Sequence, residues 1–317
     1  MSPLQPYLWI LFSGFAFSWM MTLTPLANQG CGWQLVAIFR CTIPLVVVTA
    51  WACWDGAKLT LGTPVLWIRS LAGSCSLVAT FYALTHLPVT EVSAVSNIFP
   101  IWIALLSWPI LGQFPGPLVW VSIACSVAGV FVLQGAQLQA GDPSVLVVVV
   151  ASMFTAVAMM GLNRLRDLDP RAIVVHFSAT ALMFAIASYF IFPAEPAKAP
   201  FDWTHLAELI GVGLAASMGQ YGLTRAFTAG DPAKVSVASL SQFAMIFVLD
   251  IVVLGNSIDM DRIWGIPLIL GPTLWLMAQR PATVMTVSQS ESSSSDEWAI
   301  DGSADSINSV QCADQTR

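Results

Sequence analysis

The chain has 317 residues, of which 56% are hydrophobic and only 9% are charged, and its formal net charge is −6. Soluble domains carry about 25% charged residues, so the composition excludes an ordinary water-soluble protein. Two stretches, 1–39 and 92–141, contain no charged residue. The second is too long for one transmembrane helix of about 20 residues, and a Gly- and Pro-rich segment at 112–117 divides it. The sequence therefore predicts a multi-spanning α-helical membrane protein.

Most of the negative charge lies at the C-terminal end of the chain. The segment 281–317 holds six acidic residues and one basic residue, is rich in serine and has few apolar residues. This composition is typical of a disordered, solvated tail, which we expect on the cytoplasmic side. The rest of the chain is nearly neutral and offers no basic face for nucleic acid.

Apolar windows bounded by proline, glycine or charge predict about ten transmembrane helices. They cover approximately 7–26, 33–54, 64–86, 89–110, 117–135, 144–164, 171–192, 204–229, 232–255 and 263–279. Basic residues favour cytoplasmic loops, and a cytoplasmic N-terminus places most loop Lys and Arg residues inside. The inner loops then hold Lys58, Arg164, Arg166, Arg171 and Lys234. Both termini are therefore predicted to be cytoplasmic.

One segment of the chain occurs twice. Residues 83–93 align without a gap with 226–236, so that Ala83 corresponds to Ala226 at an offset of 143 positions. The first copy covers the third and fourth predicted helices, and the second covers the eighth and ninth. Each half, 1–136 and 137–280, would then contain five helices, and an odd number inverts the second half in the membrane. Inverted repeats are the usual construction of secondary transporters that work by alternating access.

The repeated pattern resembles a ten-helix EamA-type member of the drug/metabolite transporter superfamily. Phe81-Tyr82-Ala83-Leu84 leads into 89–94, Pro100 and the Leu-Gly pair at 111–112, and the second half repeats the pattern. The resemblance implies a bacterial cytoplasmic-membrane protein that moves amino acids or similar small polar metabolites, often outward. It also implies that the third, fourth, eighth and ninth helices flank the cavity. Where such sequences often have Glu after Leu-Gly, this chain has Gln113 and Asn256, so any role of that acid is absent here or lies elsewhere.

Arg40 is the first candidate for substrate binding, and it resembles an arginine that the family often carries in its second helix. It lies about seven residues into the predicted helix 33–54, where a charge costs at least about 2.5–3.5 kcal/mol on insertion scales. Its guanidinium group stays charged and can hold a carboxylate through two parallel hydrogen bonds. That carboxylate could belong to a substrate or to an acidic residue of the protein, and both readings stay open.

Uncharged polar and aromatic side chains form a second set of candidates. Asn97 and Gln242 fall near the membrane midplane of their helices, where an amide either lines a wet cavity or bonds to a neighbouring helix. Aromatic rings beside an amide suit a solute that has an apolar part and a few polar atoms. The substrate-binding candidates besides Arg40 are Tyr82, Asn97, Trp102, Gln220, Tyr221 and Gln242.

Two acidic residues are candidates for coupling transport to protons. Asp250 interrupts an apolar run late in the ninth predicted helix, and Glu91 begins the fourth. Burial favours the neutral carboxyl group, so either could exchange protons, and the apolar neighbours make Asp250 the stronger candidate. Glu91 also has a simpler reading, as an acid stabilised in the first turn by the helix dipole. A counter-solute could replace the proton.

Two further residues, Arg225 and His86, are candidates for coupling or gating. Each also has a non-functional interpretation, because His86 falls in a predicted loop and Arg225 lies near a helix end. Arg69 lies near a helix end as well, and we expect Arg69 and Arg225 to extend their charged groups to the membrane interface.

Three classes of function compete. A carrier for a small metabolite agrees with the repeat, whereas a channel or a membrane scaffold finds less support, since the sequence shows no filter-like glycine motif or ring of like charges. An intramembrane enzyme is disfavoured because no His-Glu-x-x-His pair or Gly-x-Ser-x-Gly elbow occurs, and the cysteines show no paired metal spacing. We therefore predict no catalytic residue, metal or cofactor. The expected partners are a small-molecule substrate and the lipid bilayer, with an ion or solute gradient as the energy source.

Overall fold

A computed structural model describes residues 4–57, 62–84, 86–112, 114–135, 142–191, 200, 202–255 and 260–278. Within these residues the chain is all-helical and forms thirteen helices. The first six are α1 (Gln5–Gly30), α2 (Trp33–Trp54), α3 (Pro64–Leu84), α4 (Val89–Ser96), α5 (Phe99–Leu111) and α6 (Pro117–Gln134). The others are α7 (Pro143–Arg164), α8 (Pro170–Ile191), α9 (Trp203–Ala229), α10 (Pro232–Ser239), α11 (Ser241–Leu254), α12 (Met260–Ile263) and α13 (Gly265–Ala278). The predicted tail lies outside the described residues, as do Gln113 and Asn256.

Seven helical spans in the described part of the chain are long and apolar enough to cross a bilayer. They are Gln5–Gly30, Trp33–Trp54, Thr90–Leu111, Pro117–Gln134, Pro143–Arg164, Pro170–Ile191 and Pro232–Val253. The all-α polytopic membrane fold is thereby confirmed. The other predicted spans correspond to α3, α9 and α13, which are not among these seven, so the count of ten stays a prediction.

Two of the predicted helices are interrupted near their middle. The span 89–110 breaks after α4 at Asn97 because Pro100, in the first turn of α5, has no N–H to continue the hydrogen-bond ladder. The span 232–255 breaks after α10 at Leu240, where serine hydroxyls bond to carbonyl groups three residues earlier and compete with the ladder. These serines are Ser236, Ser239 and Ser241, and each bond is 2.7 Å long.

The interruptions occupy equivalent positions in the two copies of the repeat. Asn97 and Leu240 are separated by the repeat offset of 143 residues, and so are Gly112 and Gly255. These two glycines follow α5 and α11, and both have a left-handed backbone with φ of 67°, a conformation that glycine adopts without steric cost. The similarity of the two segments therefore extends from sequence to backbone geometry.

Helix packing follows the same two-fold pattern. The α1 helix packs against α9 as α3 packs against α7, and α2 packs against α9 as α8 packs against α3. The α1–α11 contact likewise has its counterpart in α7–α5, while α2–α8 and α6–α13 are pairs across the two halves. Exchanging equivalent helices thus turns each of these contacts into another of them or into itself. The proposed division between 136 and 137 falls outside the described residues.

Small residues allow the closest helix contacts. The Ser13 hydroxyl donates a 2.7 Å hydrogen bond to the carbonyl oxygen of Gly219, and a Cβ atom at Gly219 would lie 2.7 Å from the ring of Phe17. Between α6 and α13, a Cβ atom at Gly265 would lie 2.6 Å from the carbonyl oxygen of Gly129. Glycine therefore sets the distance between these helices, as in other membrane bundles.

Replacing Gly265 by Ala is expected to destabilise the bundle by about 1–3 kcal/mol, because the added methyl group would overlap backbone atoms that cannot move aside. Gly271→Ala is the matched control on the same helix, since its Cβ would have no atom within 4 Å and alanine favours a helix by about 1 kcal/mol. Thermal unfolding of the purified protein in detergent would show a lower midpoint for Gly265→Ala only. Equal midpoints would contradict the close α6–α13 contact.

Candidate functional site

A cavity of about 460 Å³ lies between α1, α2, α3, α7, α8 and α9. This volume falls in the usual range for small-molecule sites. Its apolar wall includes Met20, Met159 and Phe177. Its polar lining consists of Thr24, Asn28, Arg40, Arg69, Ser76, Thr80, Thr155 and Gln220. An apolar chamber with a few polar groups is suited to hold a small organic solute.

Arg40 faces this cavity from α2. Its neighbours Val36, Ala37 and Cys41 are buried in the protein, whereas Arg40 is half-buried and contributes to the cavity lining. No carboxylate in the described part of the chain forms an ion pair with it. Of the two readings that the sequence left open, an internal ion pair is therefore absent among the described residues.

A second arginine, Arg69, enters the same cavity from α3. Its side chain is 1% exposed, and its Cζ atom lies 4.1 Å from the ring centroid of Phe177 in a cation–π contact. The Nε and Nη1 atoms have no hydrogen-bond partner within the described residues. The prediction that Arg69 extends to the membrane interface is wrong, because α7 and α8 cover it.

Glycines make room for this buried arginine. A Cβ atom at Gly161 of α7 would lie 3.0 Å from Cβ of Arg69, and one at Gly73 would lie 2.8 Å from the ring of Phe177. Larger residues at either position would displace the stacked pair. Beside it, the hydroxyl groups of Ser76 and Thr155 share a 2.6 Å hydrogen bond that joins α3 to α7 across the cavity wall.

The lining of the cavity is electrostatically one-sided. It contains two guanidinium groups, and none of its described lining residues is Asp or Glu. A buried charge without a partner raises the free energy of the folded protein, because it loses its hydrating water and gains no hydrogen bonds or opposite charge in exchange. An anion that enters the cavity would therefore be attracted by both arginines. The sequence identified Arg40 as a charge inside a span but missed Arg69, which lies only five positions after the first residue of α3.

Of the other substrate-binding candidates, Gln220 also lines the cavity. Tyr82 packs against His86, with 4.7 Å between ring centroids, at the end of α3, and His86 is exposed in the loop where the sequence predicts it. The backbone carbonyl of Gln242 accepts a 3.1 Å hydrogen bond from the hydroxyl of Ser18 on α1. Neither Tyr82 nor Gln242 is among the described lining residues.

The remaining candidates of the first half lie where α4 and α5 meet α7. The Asn97 side chain donates a 2.6 Å hydrogen bond to the carbonyl oxygen of Ser93, at the end of α4. The Trp102 indole donates a 3.0 Å hydrogen bond to the hydroxyl of Ser152 on α7. The Trp102 bond connects the interrupted helix to α7, whereas the Asn97 bond stays within that helix, and both residues lie outside the described lining of the cavity. As substrate-binding residues, Asn97 and Trp102 stay predictions.

Arg225 lines a second cavity, of about 290 Å³, beside the N-terminal end of α1, and Tyr221 lies outside its described lining, with its ring 5.7 Å from that of Trp9. The Arg225 guanidinium lies 5.6 Å from the ring centroid of Trp9 and 5.8 Å from that of Tyr221. Its Nε atom has no hydrogen-bond partner in the described part of the chain. Gln220 in the first cavity and Arg225 in the second are separated by five residues of α9, or about 7.5 Å along the helix.

An ion-pair cluster lies at the same end as the second cavity. Arg171, at the start of α8, bonds to Asp55 after α2 at 2.5 Å and to Asp169 at 2.9 Å. Its guanidinium also lies 5.1 Å from the Trp51 ring centroid. Partial burial raises the pKa of Asp169, but the hydrogen bonds from Arg171 outweigh burial and hold this pKa below its usual value. The cluster therefore ties α2 to α8 while both acids are ionised.

The two coupling candidates differ in burial. Glu91 is 4% exposed, and its Oε2 atom has no hydrogen-bond partner within the described residues. Asp250 is half-buried and does interact with the protein. The fold thus buries Glu91 more deeply than Asp250, whereas the apolar neighbours of Asp250 in sequence made it the stronger coupling candidate. As coupling residues, both stay predictions. A further carboxylate oxygen without a described partner is Oε2 of Glu208 on α9, which the sequence analysis did not identify.

Comparison with known proteins adds to this geometry. Residues 4–134 match the model of the EamA-like transporter family, which confirms the resemblance inferred from the sequence. The chain is 25% identical over 224 residues to the pseudopaline exporter CntI of Pseudomonas aeruginosa, from strain UCBPP-PA14 and equally from strain PAO1. The match covers 69% of this chain and 76% of each exporter. A solved crystal structure, 20% identical, superposes with a TM-score of 0.74 over 87% of this chain and 98% of that one, and supports the fold.

Proposed function

We propose that this chain, whose residues 4–134 match the model of the EamA-like transporter family, carries a small anionic metabolite across a membrane. The family and the exporter relatives support a small-molecule transporter rather than an enzyme. The finer proposal is a secondary transporter that binds its solute in the 460 Å³ cavity and releases it on the other side by alternating access. The energy would come from protons or a counter-solute.

The observation that carries this proposal is the charge of Arg40 inside the cavity. A guanidinium group in a membrane span costs at least about 2.5–3.5 kcal/mol, and no ion pair with a described acidic residue offsets that cost. A carboxylate on the solute can accept two parallel hydrogen bonds from the guanidinium. The methionines and Phe177 of the wall offer contact surface to its apolar part.

The two-fold helix packing supports alternating access. Two related halves provide two near-equivalent packings, one open to each side of the membrane. The equivalent interruptions at Asn97 and Leu240 would let α4–α5 and α10–α11 bend without breaking further hydrogen bonds. The two cavities would be successive positions of the solute, with α9 contributing Gln220 to one and Arg225 to the other.

The proposed direction and location rest on the relatives and on the distribution of basic residues. The CntI relatives are exporters, and we extend outward transport to this chain. The positive-inside rule favours cytoplasmic termini in a bacterial inner membrane, since Arg164, Arg166 and Arg171 cluster around the α7–α8 connection. Saturable uptake and counterflow in vesicles would separate this carrier from a channel or a scaffold, and product formation without net movement would indicate an enzyme.

Replacing Arg40 by Ala is expected to abolish solute movement without preventing membrane insertion. Cells that overproduce the wild type, Arg40→Ala or Arg164→Gln at matched membrane levels would be compared by metabolite profiling of cells and medium. Arg164→Gln is the control because Arg164 is exposed at the end of α7. We expect one class of anionic metabolite to move with the wild type and the control only. The same redistribution by Arg40→Ala would contradict a substrate role for Arg40.

Replacing Glu91 by Gln is expected to uncouple transport from a pH gradient, because the amide mimics the neutral carboxyl group and cannot release a proton. Reconstituted Glu91→Gln protein should still exchange solute at equilibrium but should no longer accumulate it when a pH gradient is imposed. Asp250→Asn is the matched comparison. Unchanged proton-driven accumulation by Glu91→Gln would remove Glu91 from the coupling step, and its loss in Asp250→Asn alone would assign coupling to Asp250.

A further inference from the structure

From the two arginines of the cavity, we infer that the transported solute carries two separate anionic groups, one bound by Arg40 and the other by Arg69. This inference rests on the proposed function and assigns Arg69 to substrate recognition. The two residues come from different helices, α2 and α3, and both contribute to the lining of one cavity. Their charges have the same sign, and no acidic residue is among the described lining residues.

Arg69 is built into the site rather than left at a surface. Only 1% of the residue is exposed, and its Nε and Nη1 atoms lack hydrogen-bond partners within the described residues. Each of these two nitrogens forms, together with Nη2, one of the two N–H forks through which a guanidinium can hold a carboxylate by parallel hydrogen bonds. The face of the guanidinium rests on Phe177 at 4.1 Å, and this stacking fixes the plane in which the fork points.

A purely structural role for Arg69 does not explain its charge. The cation–π contact with Phe177 contributes about 2 kcal/mol when desolvated, whereas an uncompensated buried charge costs several kcal/mol. A methionine would fill similar space against the same ring at no such cost. The presence of Arg40 in the same cavity adds repulsion between like charges. The empty cavity is therefore electrostatically destabilised, and a dianion removes the destabilisation at both arginines.

The size and lining of the cavity favour two separated groups over one. Its volume of about 460 Å³ exceeds what a single carboxylate or sulfate ion needs, and Met20, Met159 and Phe177 offer apolar contact between polar regions. The hydroxyl groups of Thr24, Ser76 and Thr80 add hydrogen-bond partners on the wall. A short organic dicarboxylate is thus the simplest chemical class that fits the lining.

The inference is tested by anion-dependent thermal stabilisation of the purified protein. The probes are straight-chain dicarboxylates from succinate to suberate, the monocarboxylates of the same chain lengths, and sodium sulfate, all at equal ionic strength. We expect the wild type to bind one dicarboxylate length about tenfold more tightly than the matching monocarboxylate, because the second carboxylate adds a charge-assisted bidentate contact. Arg69→Met, which keeps the packing on Phe177, should bind both classes equally.

The same variant gives a second readout that a structural role would not produce. Without added anion, Arg69→Met is expected to unfold at a higher temperature than the wild type, because it removes an unpaired buried charge. Arg164→Gln is the control and should keep the anion preference of the wild type, and its midpoint should not rise, because it removes a hydrogen bond to the carbonyl oxygen of Ile110 and no buried charge. Arg69→Met that unfolds earlier and retains the dicarboxylate preference would assign Arg69 to packing and overturn the inference.

The remaining outcomes separate this inference from the proposed function. Loss of anion binding in Arg40→Gln, with an unchanged dicarboxylate preference in Arg69→Met, would overturn the role of Arg69 and leave an anion carrier in place. Equal stabilisation by sulfate and by the best dicarboxylate would show one dianionic group shared by both arginines, against two separate groups. Stabilisation of the wild type by none of the anions, with metabolite movement that ignores Arg40, would overturn both proposals.

Discussion

The cost of placing charge in a low-dielectric interior governs the rest of this structure. Two guanidinium groups, those of Arg40 and Arg69, line one cavity within a bundle of apolar helices, and neither forms an ion pair with a described acidic residue. Such groups persist in a membrane only where they serve a bound solute, an ion or a partner charge. The helices around them are arranged accordingly, with glycines at Gly73 and Gly161 that admit the bulky pair of Arg69 and Phe177.

The fold combines closely packed helix pairs with two interrupted helices. Glycine-mediated contacts between α1 and α9 and between α6 and α13 bring backbones close together and resist separation. The interruptions at Asn97 and Leu240 break the hydrogen-bond ladder at two equivalent points. The same two-fold relation that links the helix contacts links these points. The proposed alternating access requires that a movement in one half have a counterpart in the other, and this two-fold relation is compatible with that requirement.

Much of the fold could be predicted because the bilayer imposes simple rules on sequence. A span needs about 20 apolar residues, so helix positions follow from composition, and the repeat fixes which segments correspond. The break at Leu240 could not be foreseen, because serines that compete for carbonyl groups look the same in an unbroken helix.

The site was only partly predictable, because the burial of a side chain depends on helices that are distant in sequence. Arg40 can be recognised in the sequence as a charge in the interior of a span. The burial of Arg69 results from its packing against α7 and α8, which the spacing of residues along the sequence does not reveal. Asn97 is near the midplane in sequence and Trp102 follows it by five residues, yet their described hydrogen bonds run to Ser93 and Ser152.

The central claim is that the arginine-lined cavity holds an anionic solute, and native mass spectrometry of the purified transporter tests it most directly. The wild type would be released from detergent with any co-purified small molecule, which would then be identified by fragmentation and compared with that of the Arg40→Ala/Arg69→Met double variant. The account predicts a bound metabolite with at least one carboxylate or comparable anionic group in the wild type and none in the double variant. A neutral or cationic metabolite whose occupancy is the same in both proteins would contradict it.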